Sequence, residues 1–489
     1  MLDLLIRGGR VVTPSGVGQW DIGVQGEKIV TLALPGTLGG DAKKTVDATD
    51  KIVVPGGIEA HAHIGFPHLA QGWGNVNAGP DEQTLAALWG GTTTVVDFAT
   101  ATLPEGGDVV QAVESHMAHF KGQTYADYSA HCTYRGYFGQ EAILKIKDLI
   151  AAGFPSIKVF TVNPPLSQTD VPTAGGPPTE PSRPRTMVDM GRIGAIMEQQ
   201  ARYGGILAVH SEDDDIVQYN YATARQRGLW DWYNMHLIRS NLSEDLSVRR
   251  VIRRAEQTGA AMYVVHTSAK EGVNAIAEAR SRGLPIYGET ILLYCSFNCE
   301  RYKEPDGMKY HTYPSLKYEE DRLRLWDGLL HGDLSIIATD SIATDYAGKI
   351  KGRTVADVQG GNIGIEIRMG VAYTEGVVKQ GMSLERYAAI TSTNPAKLLG
   401  FYPRKGVIAV GSDADITIID PSIKKRLRMK DLHLKDYNSW EGWQIEGWPT
   451  VVVLRGKVMV EKGKFFGKLT DGKLIPRKID PAVLQKPVC

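Results

Sequence analysis

Cysteine, net charge and long apolar runs are what this sequence lacks. Its 489 residues include only four cysteines, too few for a disulfide framework, which indicates a reducing cytoplasm. Lysine plus arginine and aspartate plus glutamate both total 55, so no net charge attracts nucleic acid or an anionic membrane. No run of about 18 apolar residues occurs, and the first residues lack the apolar core of an export signal. We expect a cytoplasmic protein that acts on a small, weakly charged molecule.

What is present indicates an ordinary globular chain with two domains. Hydrophobic residues make up 43% and charged residues 22%, which excludes a disordered or fibrous protein. Short apolar runs separated by glycine turns occupy both chain ends, as in DLLIRGGRVV and VVVLRGKVMV. We predict a small β-sandwich domain built from 1–55 and 404–465 around a larger domain, 56–403. A tail, 466–489, is long enough to reach a neighbouring subunit.

The larger domain alternates short β-rich runs with longer helical stretches, the pattern of repeated βα units. The eight predicted strands are 57–64, 92–98, 126–134, 156–161, 204–212, 260–268, 284–291 and 334–341. Eight such units predict a (β/α)8 barrel, whose active site lies at the carboxyl ends of the strands. The Pro- and Gly-rich segment 162–186 interrupts the pattern after the fourth strand and is either a lid or a mobile loop.

Two histidines end the first predicted strand, in GGIEAHAH. His61 and His63 are two residues apart, so in a strand both imidazoles point to one face, here the barrel interior. This arrangement suits two nitrogen ligands on one metal ion. Alone, the pair is more often a polar strand end than a metal site.

Lys158 lies in the middle of the fourth predicted strand, between Ile157 and Val159. An unpaired ammonium there carries a large desolvation cost, so it must be paired or neutral. A neutral amine can add carbon dioxide to become a carbamate, an anionic ligand with two oxygens that is able to bridge two cations. The alternative is a structural lysine in a salt bridge.

Three further candidates close predicted strands: His210 in ILAVH, His266 in MYVVH and Asp340 in LSIIATD. Each histidine alone is equally well explained as a buried core residue. All six candidates, however, fall at the carboxyl ends of barrel strands. Nitrogen and oxygen ligands without cysteine favour Zn²⁺, with Mn²⁺, Fe²⁺ or Co²⁺ as alternatives.

The sequence resembles the amidohydrolase superfamily and, within it, the dihydropyrimidinase and D-hydantoinase group of cyclic amidases. The likeness spans nearly the whole chain, from PGGIEAHAH through GGTTTVVDF, IKVF, VHSED, VVHTS and ATDS to NPAKLLGFYPRKGVIAVGSDADITIID. It implies that His61, His63 and Asp340 hold one metal, that His210 and His266 hold the other, and that carboxylated Lys158 bridges them. It also implies a homo-oligomer, a tetramer or a dimer. Two cations sharing one water lower the water's pKa towards neutrality, and Asp340 is the expected proton carrier.

The substrate side departs from that group. Where its hydantoin-opening and dihydropyrimidine-opening members carry a tyrosine five residues after the bridging lysine, this chain has Asn163, a shorter donor to a developing oxyanion. Gly65 stands where a dihydroorotase would have an arginine for its substrate's carboxylate. We expect an imide or an aryl-substituted ring to be hydrolysed faster than plain hydantoin or dihydrouracil.

Several residues are candidates for contacts with the substrate, each with a structural alternative. His236 and Arg239 lie in MHLIRSNLSE, which is equally well explained as a charged surface helix capped near Glu244. Aromatic side chains for a pocket wall are Phe66, Trp73 and Tyr294, each also explained by core packing or exposure.

Two other functions remain open. A noncatalytic scaffold with this fold would lose the metal ligands, and all six are present. A hydrolase of acyclic amides, ureas or carbamates, or a deaminase, can use the same barrel.

Overall fold

The computed structural model describes residues 1–39, 42–65, 77–102, 107–164 and 186–489. Its strands are β1 Leu2–Thr13, β2 Gly16–Gln25, β3 Lys28–Ala33, β4 Ala42–Asp47, β5 Ile52–Pro55, β6 Gly57–Glu59, β7 Ala62–His63, β8 Thr92–Thr100, β9 Asp127–Thr133, β10 Ser156–Phe160, β11 Ile206–His210, β12 Met262–Val264, β13 Ile286–Ile291, β14 Ile336–Ala338, β15 Ser341–Ile342, β16 Ile416–Arg426, β17 Gln444–Leu454, β18 Lys457–Glu461 and β19 Lys464–Phe465.

A parallel sheet of eight strands forms the barrel, in the order β14-β13-β12-β11-β10-β9-β8-β6. The first and eighth predicted strands each break in two, and their second halves, β7 and β15, pair with each other. That pairing joins the two edges of the sheet, so the barrel is nearly closed. Every predicted strand overlaps an observed one, and the predicted (β/α)8 fold class is confirmed.

Continuous burial explains why the barrel strands read as unbroken apolar runs. All five residues of β11 and all seven of β9 are buried, because helices cover the outside and side chains fill the interior. Register fixes which residues share a level: Lys158 on β10 lies beside Thr133 on β9 and Ala208 on β11. One layer higher, Phe160 lies beside His210.

The helices lie between the strands and in the connections that follow the barrel. Their bounds are α1 Pro80–Trp89, α2 Val109–Ala118, α3 Gln140–Leu144, α4 Ile146–Ala151, α5 Met190–Tyr203, α6 Asp214–Thr223, α7 Met235–Ile238, α8 Asn241–Thr258, α9 Lys270–Ser281, α10 Leu292–Ser296, α11 Glu319–His331, α12 Tyr346–Lys349, α13 Arg368–Ala372, α14 Leu384–Ala388, α15 Asn394–Leu399 and α16 Pro481–Gln485. Helix α5 shows the local signals well: Asp189 accepts a hydrogen bond from the backbone of Arg192 at its start, and Gly204 ends it with φ of 91°.

Both chain ends build a second, mixed sheet, in the order β19-β18-β17-β16-β5-β1-β2-β3 with β4 on β1. Its buried face carries aliphatic side chains from both ends, including Ile22, Val53, Ile416 and Val453. Lys405 links it to the barrel, since its ammonium lies 2.6 Å from Asp127 on β9 and also contacts Asp415. The domain boundaries at 55/56 and 403/404 stay a prediction.

The C-terminal tail runs across the amino-terminal face of its own barrel. Ile475 bonds to Tyr128 near the start of β9, and Tyr287 in β13 donates its hydroxyl hydrogen to the carbonyls of Val483 (2.7 Å) and Lys486 (2.8 Å). The side chain of Ser335, just before β14, donates to the carbonyl of Cys489 at 3.2 Å. This face is opposite the carboxyl ends of the strands. An extension to a neighbouring subunit stays a prediction.

Of the segment 162–186, residues 165–185 lie outside the described residues. Among the helices that are described, none is long and apolar enough to cross a membrane.

Candidate metal centre

Three of the predicted ligands meet where the first and eighth strands join. His61 lies between β6 and β7, His63 ends β7, and Asp340 lies between β14 and β15. The Nε2 atoms of His61 and His63 each lie 3.1 Å from Oδ1 of Asp340. His61 and Asp340 are buried, and His63 is partly buried. One cation fits among two imidazole nitrogens and a carboxylate oxygen of this kind.

The two other histidines lie beside this cluster. His210 ends β11, and His266 lies two residues beyond β12. Their ring centroids are 4.5 Å apart, and the ring of His266 is 5.2 Å from that of His61. The five candidate histidine and aspartate side chains therefore share one face of the barrel, the carboxyl-end face.

Lys158 reaches into the same interior without a hydrogen-bond partner among the described residues. Its ammonium is buried and lies 5.2 Å from the ring centre of Phe98 and 4.9 Å from that of Phe160. Burial lowers the pKa of Lys158 to about 7, although the charges of Asp340 and Glu289 act in the opposite direction. A large fraction of this amine is therefore neutral near pH 7.

Two of the predicted ligands have unusual backbone conformations. His266 has φ of 37° and Asp340 has φ of 49°, in the left-handed region that non-glycine residues rarely adopt. Each follows a short barrel strand and turns its side chain towards the cluster. Such backbone strain is concentrated at functional sites and is maintained by surrounding bonds.

Carboxylates that the sequence analysis missed hold these ligands in place. Glu289 on β13 accepts from Nδ1 of His61 at 2.7 Å and from the backbone N–H of His266 at 2.9 Å. Glu59 accepts from the backbone N–H groups of His61 and Thr339, each at 3.0 Å. Both carboxylates are fully buried. Their sequence signals were the acidic residues inside apolar strands, in GGIEAHAH and IYGETI.

Arg239 belongs to a buried ion pair beneath His210. Glu212 lies 2.7 Å from Nε2 of His210 and also accepts from the Arg239 guanidinium. Only 4% of Arg239 and 2% of Glu244 is exposed, so the alternative of a charged surface helix is wrong for both residues. Glu244 instead accepts from the backbone of Ser268, just after His266. Arg239 thus pairs with the carboxylate that bonds to His210, a predicted metal ligand, and its own predicted contact with substrate stays a prediction.

The side chain of Asn163 makes hydrogen bonds to three other residues of the chain. Its amide nitrogen donates to Asp214 at 3.0 Å, and its oxygen accepts from the backbone N–H groups of Thr186 and Met187, each at 3.1 Å. The backbone N–H of Asn163 also donates to Asp214, at 2.8 Å. The amide nitrogen carries a second N–H, so the role of Asn163 as an oxyanion donor stays a prediction.

The remaining pocket candidates have local partners in the structure or lie outside the described residues. His236 is partly buried, and its ring lies against Tyr302 and Tyr318. Tyr294 is buried and donates its hydroxyl hydrogen to the carbonyl of Pro314 at 2.5 Å. Trp73 and Phe66 lie outside the described residues.

A second group of acidic side chains, Asp127, Asp413 and Asp415, lies at the junction with the mixed sheet. Its centre is filled by the Lys405 ammonium, which contacts all three carboxylates. Arg455 also pairs with Asp127. Ion pairing therefore accounts for this group. The histidine-rich group is different, because its nitrogens, the Asp340 oxygen and the Lys158 amine, which has no partner among the described residues, form a set suited to divalent cations.

Comparison with known proteins agrees with this geometry. The model of the amidohydrolase family matches residues 234–459. The chain is 31% identical over 483 residues to a D-hydantoinase of Streptomyces coelicolor, covering 97% of each chain. It is also 31% identical over 487 residues to the dihydropyrimidinase of Rattus norvegicus, covering 97% of this chain and 89% of that one.

The fold of this chain also matches a solved structure of the same group. The crystal structure of a dihydropyrimidinase from Brevibacillus agri superposes with a TM-score of 0.87 at 30% identity, covering 97% of this chain and 98% of that one. The resemblance inferred from the motifs is thereby confirmed. The chain belongs to the amidohydrolase family and, within it, to the group that contains the D-hydantoinases and dihydropyrimidinases.

Proposed function

We propose that this protein is a metal-dependent hydrolase that opens a cyclic amide, such as a hydantoin, a dihydropyrimidine, an imide or a related cyclic ureide. Family membership supports the reaction class, a hydrolysis of C–N bonds other than peptide bonds. The observation that carries the proposal is the convergence of His61, His63 and Asp340 within hydrogen-bonding distance at the carboxyl end of the barrel.

Divalent metal ions are the cofactor that this family implies, and the donor set fits them. Two ions are proposed, most simply Zn²⁺, with Mn²⁺, Fe²⁺ or Co²⁺ as alternatives. His61, His63 and Asp340 would hold one ion, and His210 and His266 the other. With Nε2 of His210 bonded to Glu212, its Nδ1 is left for a metal. Lys158, buried and without a hydrogen-bond partner in the described part of the chain, would bridge them as a carbamate.

The ions, when bound, activate a water molecule and polarise the scissile carbonyl. The chain's own contribution begins with Asp340. Its Oδ1 faces His61 and His63, whereas its Oδ2 lies 3.5 Å from the hydroxyl of Thr312 and remains able to accept a proton. Asp340 would take a proton from the attacking water and transfer it to the departing nitrogen. Hydrolysis adds water across one C–N bond, giving a carboxylic acid and an N–H group on the same molecule.

The buried carboxylates keep this arrangement rigid. Glu289 fixes the ring of His61, and Glu212 fixes that of His210, so neither imidazole must reorient during the reaction. The same rigidity argues against a noncatalytic scaffold, which has no need for oriented, buried ligands. An acyclic amide, urea or carbamate remains a second class of substrate to be tested in parallel.

We further propose a cytoplasmic homo-oligomer, a tetramer or a dimer. The four cysteines are unpaired, as expected in a reducing compartment. Apolar side chains remain exposed on α8 and α11 of the single chain: Leu242 is 55% exposed, Leu246 44% and Leu323 55%. Burial of such side chains between subunits is favourable. Sizing that gives a monomer at micromolar concentration would contradict this assembly.

One experiment tests the proposed activity. The purified protein, with its metal content measured, is assayed side by side on a cyclic imide, a 5-substituted hydantoin, dihydrouracil, allantoin and an N-aryl urea. We expect about two metals per chain and turnover confined to the cyclic substrates. Turnover of the urea alone would replace the proposal with the acyclic alternative, and a protein that binds no metal would reject it.

A further inference from the structure

An arginine lies in the layer of the barrel just above Lys158. Inward-facing residues alternate along β9, and His131 and Thr133 share their levels with Phe98 and Thr100 on β8. Thr133 is level with Lys158. Arg135, two residues further on, therefore points to the same interior at the level of Phe160 and His210.

The contacts of Arg135 agree with this position. Its guanidinium carbon lies 5.4 Å from the ring centre of Phe160, and the ring of Phe160 in turn lies 5.4 Å from that of His210. The backbone N–H of Arg135 is held by the hydroxyl of Thr102 at 2.9 Å. Residues of two neighbouring strands thus fix the arginine at the mouth of the proposed metal centre.

No carboxylate neutralises this arginine within the described part of the chain. Its Nε is buried and makes no hydrogen bond there. Three more deeply buried arginines have partners there: Arg239 pairs with Glu212, Arg368 lies 3.1 Å from Glu59, and Arg477 donates to hydroxyl and carbonyl groups. A partly buried guanidinium without an anion is costly, so the position of Arg135 requires a different explanation.

We propose that Arg135 is a specificity-determining residue that binds a carboxylate on the substrate, so that the substrate is a cyclic amide with an acidic side group. This inference rests on the proposed function and names its substrate class. A guanidinium matches a carboxylate with two parallel hydrogen bonds, and Phe160 holds its plane in place. Since Gly65 offers no arginine beside the metal-binding histidines, Arg135 supplies the anion site from another strand.

A second anion could be the partner of Arg135 instead of a substrate carboxylate. It is the carbamate proposed on Lys158, which has similar chemistry. Both are planar anions with two oxygens of the kind that a guanidinium binds. The two sources differ in their consequences. A counter-charge to the carbamate would affect metal binding and every substrate, whereas a substrate-binding arginine would affect only substrates that carry the acid.

The test uses a matched pair of probes on the metal-loaded full chain: 5-carboxymethylhydantoin and its neutral amide, 5-carbamoylmethylhydantoin. We measure kcat, KM and metal content for the wild type and for Arg135→Gln, and bind both intact probes by calorimetry. The wild type is expected to prefer the acid, and Arg135→Gln to reduce the acid-to-amide ratio of kcat/KM about ten- to a hundred-fold, mainly through KM. Arg135→Lys should restore part of the ratio.

Arg250→Gln is the matched control, because it removes the same charge from an exposed position on α8 and should leave the ratio unchanged. Equal use of both probes by the wild type would overturn the inference while the proposed function stands. Loss of metal and of both activities in Arg135→Gln, at an unchanged ratio, would assign the arginine to the carbamate instead. If neither probe is hydrolysed, calorimetric preference for the acid still supports Arg135, and the proposed function is decided by the panel of cyclic substrates above.

Discussion

A single oxygen of Glu289 connects two of the proposed ligands: Oε1 lies 2.7 Å from Nδ1 of His61 and 2.9 Å from the backbone nitrogen of His266. Because Nδ1 of His61 bonds to this carboxylate, Nε2 is the ring nitrogen that faces Asp340, at 3.1 Å from Oδ1. The same bond holds the backbone at His266, where φ is positive. Glu289 therefore positions ligands that we assign to two different metals.

Glu289→Gln is expected to weaken metal binding about ten- to a hundred-fold, because an amide is a poorer acceptor and can present its NH₂ group to His61. The measurement is a titration of the metal-free protein with Zn²⁺ against a competing chelator. A Co²⁺ absorption spectrum, which reports ligand geometry, should change as well. Glu320→Gln, at an exposed position on α11, is the control. Unaltered affinity and spectrum would show that Glu289 supports only the fold.

Carboxylation of Lys158 should depend on pH in the metal-free protein. Burial lowers the pKa of this lysine to about 7, so the neutral amine that reacts with carbon dioxide dominates above pH 7 and the ammonium below it. At a fixed concentration of dissolved CO₂, the rate of metal loading should rise about tenfold between pH 6 and pH 8, following the neutral fraction. A flat rate across this range would contradict the carbamate.

Lys158→Ala provides the complementary test. Removal of the amine should abolish the binding of about two metals per chain and the activity that depends on it, with partial rescue by short carboxylic acids that take the place of the carbamate. Metal analysis of the variant with and without acetate measures this directly. Full activity of Lys158→Ala without any added acid would contradict a bridging carbamate on Lys158.

The barrel and the ligand cluster were predictable because both leave local signals. Buried parallel strands are continuous apolar runs, and polar residues such as His210 and Asp340 at their ends stand out. Their common location follows from the fold, since carboxyl ends of barrel strands meet on one face. The sequence also carried Glu59 and Glu289 in apolar strands, and their burial could have marked them.

The contacts of Asn163 and Arg239 could not be predicted, because their partners are distant in sequence. Asn163 bonds to residues 23 to 51 positions away, and Arg239 pairs with a carboxylate 27 positions earlier. A motif names a residue type at a position, whereas these bonds depend on how connections after different strands pack together. The place of the tail, across the barrel's amino-terminal face, also depends on such long-range packing.

Tyr287 anchors the tail, and its loss should destabilise the fold without altering the metal site. The hydroxyl donates to the carbonyls of Val483 and Lys486, so Tyr287→Phe leaves these groups without their donor at a cost of about 1–3 kcal/mol. We expect a fall in Tm of roughly a few degrees. Tyr219→Phe, at a position 67% exposed, is the control. Metal content should be unchanged, and a tail that instead crosses to a neighbour would make the Tm fall depend on protein concentration.

The last prediction concerns Asn163, whose hydrogen bonds indicate a structural contribution, while its role as an oxyanion donor stays a prediction. Asn163→Asp keeps the oxygen that accepts from Thr186 and Met187 but loses the donor to Asp214 and sets two carboxylates side by side. It should lower stability by about 1–3 kcal/mol, the cost of an unmade bond to a charged group.

Asp214→Asn, added to Asn163→Asp, restores the lost hydrogen bond in the reverse direction. The new amide nitrogen at position 214 can donate to the carboxylate introduced at position 163. Its amide oxygen still accepts from the backbone N–H of position 163. The double variant should therefore recover most of the stability lost in Asn163→Asp, and both variants are compared by thermal unfolding at equal metal content. Recovery identifies the pair as a reciprocal hydrogen bond. The opposite outcome is that Asn163→Asp leaves Tm unchanged but lowers kcat on a cyclic amide. Asn163 would then act on the reaction, as the sequence suggested. Its hydrogen bonds to Asp214 would not contribute to stability.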